Sequence, residues 1–258
     1  MHYGIARFPS LNFYNGSLRN APCVYDARIF ERPYHFDHLG RIGPVTFIDT
    51  KNIARNKEYY PLHDSACNYC EAEVIKSLVV FIVRLHNSAL QDGIVLLSPY
   101  SRQLDVLSNL CKKVPEMAQV SISTSTIDSM QGGETGTIIM SAVRSNQMGE
   151  LGFLIDYRRV NDGMTRARFS LIVVGNSETL ESERARETGH GSNDDDHTLW
   201  KRFVAYCKNG SKEYTHYVCP TGRNVSDETV VRELFPESTA SSAIKWNHPR
   251  FQVDKQKE

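Results

Sequence analysis

The chain has 258 residues, 40% hydrophobic and 23% charged, enough for one substantial core with an appendage. Its 30 basic residues balance 30 acidic ones, so a polyanionic partner has to be met by a local patch, because the overall field offers no attraction. No apolar run approaches the roughly 18 residues of a membrane span, and the opening MHYGIARF carries no signal-peptide pattern. The expectation is a soluble protein, cytoplasmic or nuclear, with no membrane partner.

In chain order, PVTFID (44–49) and GIVLLS (93–98) read as strands flanking a helix, a strand–helix–strand crossover. The helix is EAEVIKSLVVFIVRL (71–85), whose Val74, Leu78, Phe81, Ile82 and Leu85 form a helix-period stripe. SRQLDVLSNLCKK (101–113) reads as the next helix, with Ser101 placed to cap it and Leu104, Leu107 and Leu110 turned to the sheet. Residues 117–121 are expected to form a further strand. TIIMSAV (137–143) and SLIVVG (170–175) are short, β-branched and bounded by glycine or charge, which suits parallel strands buried on both faces. Residues 182–197 are polar and end in three aspartates, the composition of an exposed linker. TLWKRFVAYCKN (198–209) is a helix with Leu199, Trp200, Phe203, Val204 and Cys207 on its apolar side. Residues 211–258 read as a tail, either docking or largely disordered.

Six scattered cysteines favour free thiols in a reducing compartment. Cys67 and Cys70 form a CxxC with His63 just before it. Without a second pair of ligands, helix packing is the better reading than zinc, and no metal site is expected.

The loops between the last strands carry the chemistry. One holds Asp128, Gln131, Gly132, Gly133 and Glu134, the other Asn161, Thr165, Arg166 and Arg168. Ligands of open α/β sheets lie beyond the carboxyl ends of the strands, so that edge is where these loops are expected. Paired glycines let backbone N–H groups approach a phosphate or base, a carboxylate such as Glu134 accepts from ribose hydroxyls, and Arg166 offers a permanent forked cation. Residues 158–168 form a basic patch, with Arg158, Arg159, Arg166 and Arg168 against Asp156 and Asp162. Each element also has a plain reading: QGGE as a tight turn, TRAR as a solvated helix face.

The order SPYSRQ (98–103), STIDSMQGGE (125–134), SAVRSN (141–146), GFLIDYRRVN (152–161) and MTRAR (164–168) resembles the carboxy-terminal motor domain of superfamily 1 helicases, up-frameshift type. MHYGIARFPSLNFYNGSLRN (1–20) is similar to the end of that family's Tyr-Arg-Met-His-Pro motif and the run after it. The resemblance covers residues 1–210. It implies an α/β fold, RecA-like and of the P-loop NTPase type, three layers around a parallel sheet, with a polar C-terminal extension. Residue by residue, Gln131, Gly133 and Glu134 match the motif whose glutamate approaches the nucleotide ribose. Arg166 matches the catalytic arginine that reaches the γ-phosphate. Ser98, Pro99, Tyr100, Asp128 and Arg144 match segments that support or contact the nucleic-acid strand. The implied ligands are ATP and single-stranded RNA or DNA.

Three departures stand out. Asp162 and Gly163 follow Asn161 where the family has Val-Ala, setting a carboxylate near Arg166 and a glycine expected to loosen a helix start. Tyr3 replaces a proline. No GxxxxGK[ST] phosphate loop and no strand ending in paired acids occurs, so a first RecA-like domain, in trans or lost from this chain, is expected to hold Mg²⁺ and the triphosphate. The family's other cleft arginine would stand immediately before Met1. Two functions follow: the second half of a helicase motor, inactive alone, or a non-catalytic RNA- or protein-binding module. Arg166 and Glu134 facing an open cleft at the carboxyl edge favours the first, and Asp162 occupying Arg166 favours the second.

Overall fold

Six short runs of aliphatic and β-branched residues pair into one sheet in a computed structural model that describes residues 1–21, 42–61, 65–86, 93–115, 118, 120–182, 194–211 and 214–221. The strands are β1 (Val45–Asp49), β2 (Ile94–Leu97), β3 (Ile122–Ser125), β4 (Thr135–Ser141), β5 (Ala167–Gly175) and β6 (Thr215–Val218). They lie in the order β3-β2-β4-β5-β1-β6, and every pairing is parallel. A parallel sheet needs both faces covered, and the period of two along each strand divides the side chains between two cores.

Ile48, Leu96, Ile139, Ile172 and Val174 join the cluster that holds the apolar residues of α2 (Tyr69–His86) and α3 (Ser101–Cys111). Phe47, Leu97, Ile138, Met140, Leu171 and Val173 join the opposite cluster, with α1 (Tyr3–Phe13), α4 (Tyr157–Met164) and α6 (Asp194–Asn209). A short α5 (Ser177–Leu180) follows β5. Helices on both faces of a parallel sheet make the three-layer α/β, RecA-like architecture.

Several expectations change in detail. β1 and β2 do begin and end a strand–helix–strand crossover, but β5 and β4 stand between them. Helix α2 is buried on nearly every side: Ala72, Ile75, Val79 and Val83 are as inaccessible as Val74, Leu78, Phe81 and Ile82, while the Leu85 side chain lies outside the described residues. In α3 the core takes Gln103, Val106 and Leu107, whereas Leu104 and Leu110 are half-buried. Ser101 does not cap it; Tyr100 holds that position, and its side chain makes no capping bond. The strand expected at 117–121 is β3, a few residues later, and Met117 lies outside the described residues.

Of the linker expected at 182–197, residues 183–193 lie outside the described residues, but 194–197 already belong to α6. An acidic run suits a helix start as well as a linker. The five apolar residues expected on this helix are all buried, and Trp200 Nε1 donates to the Leu154 carbonyl at 2.9 Å. Past residue 210 the chain returns to the sheet as β6, its Thr215, His216, Tyr217 and Val218 in register with residues 45–48 of β1. The tail from 222 onward, Trp246 included, lies outside the described residues.

Cys67 and Cys70 are buried in the first core, at the start of α2, and burial pushes the Cys67 thiol up. His63 and Cys23 lie outside the described residues. Tyr3 opens α1 rather than disturbing it: the ring nitrogen Nδ1 of His2 accepts the Gly4 N–H at 3.0 Å as the cap.

Candidate functional site

In a parallel sheet every strand begins at the same edge, and that geometry decides where the two candidate loops meet. Residues 128–134 run into the amino end of β4, and residues 161–166 into the amino end of β5. They are therefore joined at the amino edge, not at the carboxyl edge that the general rule for open sheets led us to expect. The Thr135 N–H donates to the Arg166 carbonyl at 3.1 Å, and Thr135 pairs with Ala167 in the ladder. Glu134 and Arg166 each stand one residue before that pair, so the carboxylate and the guanidinium spring from neighbouring strand mouths.

The turn before β4 is built for approach. Gln131, Gly132, Gly133 and Glu134 are exposed. Gly132 has φ +81°, a left-handed conformation that costs other residues, and a Cβ on it would meet nothing within 4 Å. The Gly133 N–H closes the turn onto the Met130 carbonyl at 2.9 Å. Helix α4 then sets the other loop. Asp156 caps it, accepting the N–H groups of Arg158 and Arg159 at 3.1 and 3.2 Å. Asp162 and Gly163 fall in its last turn, not at its start. Gly163 is buried where a Cβ would lie 3.1 Å from Leu97 and 3.3 Å from Ile127, so this glycine serves close packing.

Asp162 does engage Arg166. The Arg166 Nε donates to the Asp162 carbonyl at 3.1 Å, and Nη2 pairs with the Asp162 carboxylate. Their side chains remain 21% and 36% exposed, which makes this a partly solvated pair spaced i,i+4. Asp128, three residues past the carboxyl end of β3, is exposed and its carboxylate lies 3.4 Å from Arg159 Nε. Asp128, Gln131, Arg159, Asn161 and Asp162 help line a cleft of about 670 Å³ with Asn12 and Tyr14, whereas Glu134 and Arg166 are not in its lining. Among the described residues, the Asn161 Oδ1 is inaccessible and accepts no hydrogen bond.

The remaining strand-contact candidates lie at the opposite, carboxyl edge. Ser98, Tyr100 and Arg144 are buried and Pro99 is half-buried, so in this structure they hold loops together. Ser98 Oγ accepts the Tyr100 N–H at 3.3 Å, and the Tyr100 hydroxyl accepts the Phe153 N–H at 3.3 Å. Arg144 Nε lies 3.2 Å from the Glu58 carboxylate and donates to the Glu150 carbonyl at 2.9 Å, while Nη1 donates to the Tyr60 hydroxyl at 2.5 Å.

Beneath this layer runs a network absent from the sequence reading. Glu71, fully buried, accepts from Ser141 Oγ at 2.6 Å and from the Val143 N–H at 2.8 Å. Gln103 donates to Ser141 Oγ at 2.9 Å and exchanges two bonds with the Asn68 backbone. Val143 sits at φ +69°, strained for a β-branched residue, and the Glu71 bond holds it there so that Arg144 turns toward Glu58. A lone acid in the first turn of an apolar helix was the available signal for Glu71.

The family described as AAA domain matches residues 1–178. The ATP-dependent helicase upf1 of Schizosaccharomyces pombe is 27% identical over 260 residues, covering 95% of this chain and 26% of its own length. The Regulator of nonsense transcripts 1 homolog of Drosophila melanogaster is 32% identical over 187 residues, covering 71% of this chain and 15% of its own. The DNA polymerase alpha-associated DNA helicase A of Saccharomyces cerevisiae is 34% identical over 197 residues, covering 70% of this chain and 27% of its own.

The chain belongs to the superfamily 1 helicases of the up-frameshift type.

This helicase-family chain spans about a quarter or less of the length of those relatives. Coverage of 95% in the fission-yeast match also carries the similarity past Gly210, where the resemblance was expected to end. Among the described residues, no helix is long and apolar enough to cross a membrane.

Proposed function

We propose that the chain supplies the arginine-and-ribose face of an ATP cleft in a helicase motor, together with part of a track for single-stranded RNA or DNA. The observation that carries this is the junction at the amino edge, where the Thr135–Arg166 backbone bond brings Glu134 and Arg166 to adjacent strand mouths beside open space over Gly132. Those groups fit the outer side of a nucleotide. Glu134 accepts from ribose hydroxyls, the Gly132 and Gly133 backbone allows close approach, and Arg166 stabilises negative charge on the terminal phosphate. Hydrolysis of ATP supplies the free energy for strand movement. The phosphate loop and Mg²⁺ belong to a first RecA-like domain, in trans or in a longer chain.

The Asp162–Arg166 pair does not remove the arginine. A partly exposed pair at i,i+4 is worth about 0.3–0.5 kcal/mol, which the several charges of a triphosphate outweigh. The same pair favours the second reading, a non-catalytic RNA- or protein-binding module, as does the placement of Arg166 and Glu134 at the amino edge, outside the lining of the cleft. Binding of a fluorescent, non-hydrolysable ATP analogue separates the two. The motor reading expects weak binding that is lost in Arg166→Ala, weakened in Glu134→Ala and strengthened about twofold in Asp162→Ala. Binding indifferent to Arg166→Ala, or none even in Asp162→Ala, would leave the module reading.

A further inference from the structure

The loop leaving the carboxyl end of β1 alternates anchors with displayed side chains. Ile53 is buried, Asn56 Nδ2 donates to the Thr50 carbonyl at 3.0 Å, and buried Glu58 accepts the Ser145 N–H at 2.8 Å. Between and beyond these anchors, Arg55, Lys57, Tyr59 and Tyr60 are exposed. A third exposed ring, Phe153, comes from the loop after β4.

The two loops meet at Arg144. Its Nη1 donates to the Tyr60 hydroxyl at 2.5 Å and lies 2.8 Å from where a Cβ on Gly152 would stand, next to Phe153. Tyr60 and Phe153 thus flank one buried guanidinium while staying 50% and 57% exposed. Tyr60 is fixed a second time, its hydroxyl donating to Glu58 at 3.2 Å, and Phe153 packs edge-on against Tyr100 with ring centroids 5.5 Å apart. Rings already held in place lose little freedom when a flat partner stacks on them.

The charge beside the rings selects the partner. Among the described residues neither Arg55 nor Lys57 forms an ion pair, so both are available to phosphate, while the exposed Glu150 stands 3.4 Å from Arg144 Nη2. Aromatic faces interleaved with unpaired cations match single-stranded nucleic acid, whose bases stack and whose phosphates need counter-charge. An apolar protein surface would call for a contiguous apolar patch, which Arg55, Lys57 and Glu150 interrupt.

We propose that Arg55, Lys57, Tyr59, Tyr60 and Phe153 form a base-stacking platform for single-stranded nucleic acid at the carboxyl edge of the sheet. The proposal rests on the reading that this chain contributes part of a strand track, and it assigns that track to a loop outside the family motifs. Arg144 is a positioning residue in this platform: it holds the Tyr60 hydroxyl, while Tyr100 packs against Phe153.

The test is binding of a fluorescein-labelled oligouridylate to the full chain over a range of salt, with photo-crosslinking of its 4-thiouridine form to locate the contact. Tyr60→Ala combined with Phe153→Ala is expected to weaken binding about thirtyfold or more without changing the salt dependence. Arg55→Gln combined with Lys57→Gln is expected to flatten the log–log salt slope by about 1.4. Tyr60→Phe with Phe153→Tyr keeps both rings and is expected to retain affinity, which separates stacking from misfolding. Crosslinks should fall in residues 55–60 and at Phe153. Unchanged affinity in the ring and charge variants, with crosslinks elsewhere, would overturn the platform and leave the patch to a protein partner, while strand binding by the chain would stand. Absence of any strand binding by the unaltered chain would overturn the platform and the strand half of the proposed function together; analogue binding at Arg166 still decides the nucleotide half.

Discussion

Glu71 shows how one side chain can tie a buried network to pH. Burial raises its carboxyl to about 8, against the pull of the Ser141 and Val143 donors, and Glu58 adds to the rise. A carboxyl whose folded value lies above its ordinary 4.5 holds a proton that the unfolded chain releases, so between about 4.5 and 8 stability falls as pH rises. Thermal melts across that window should show the melting temperature declining toward the alkaline side. Glu71→Gln, which keeps an acceptor for Ser141 and Val143 without a titrating group, should flatten the decline; a variant profile parallel to the unaltered chain would refute this. Such a residue was hard to read in advance, because an acid in a first helical turn normally faces solvent and favours the dipole. Glu134 and Arg166 were easier, since their order and neighbours carry the family resemblance. Asp162 fell between: its charge was legible as a neighbour of Arg166, but only the last turn of α4 brings it into contact.

Among the elements, α4 links the two loops of the candidate site. Its eight residues are too short to persist alone, and it depends on the Asp156 cap and on Val160 and Met164 in the core. Asp156→Ala should cost about 1 kcal/mol in chemical denaturation, and hydrogen exchange should quicken first in α4. Loss of stability without local exchange in α4 would argue against the cap. The strands were legible because β-branched runs bounded by glycine or charge have few alternatives. Helix α2 was legible as a helix but not as one buried nearly all round, since burial depends on how many neighbours surround it. β6 escaped notice for a related reason: THYV is short and polar, and what makes it a strand is the open edge of β1 beside it. The linker reading failed at residues 194–197 because acidic residues suit both a solvated chain and a helix start.

Taken whole, the molecule carries its proposed nucleotide face and its proposed strand face on opposite edges of one sheet. Candidate residues that looked like one cluster in sequence therefore divide, with Gln131, Gly133, Glu134 and Arg166 leading into the amino edge, Ser98, Pro99, Tyr100 and Arg144 at the carboxyl edge, and Asp128 in the segment that leaves β3. Alone, the chain is expected to show no ATP turnover above a heat-denatured control, because its 258 residues include no phosphate loop and no paired acids for Mg²⁺. A steady-state rate approaching that of an intact helicase and abolished by Arg166→Ala would defeat that expectation.

The sequence by itself determined the family, the parallel α/β class and the approximate strands and helices, and it singled out Glu134 and Arg166 as candidates. These follow from local spacing and motif order, which need no knowledge of the distant chain. Tertiary structure alone decided the strand order, the edge on which Glu134 and Arg166 meet, the burial of Ser98, Tyr100 and Arg144, and the display of Tyr60 and Phe153 around one guanidinium. Each of those depends on which segments far apart in the chain come to lie side by side, and parallel pairing across long crossovers leaves no local signature of its partner.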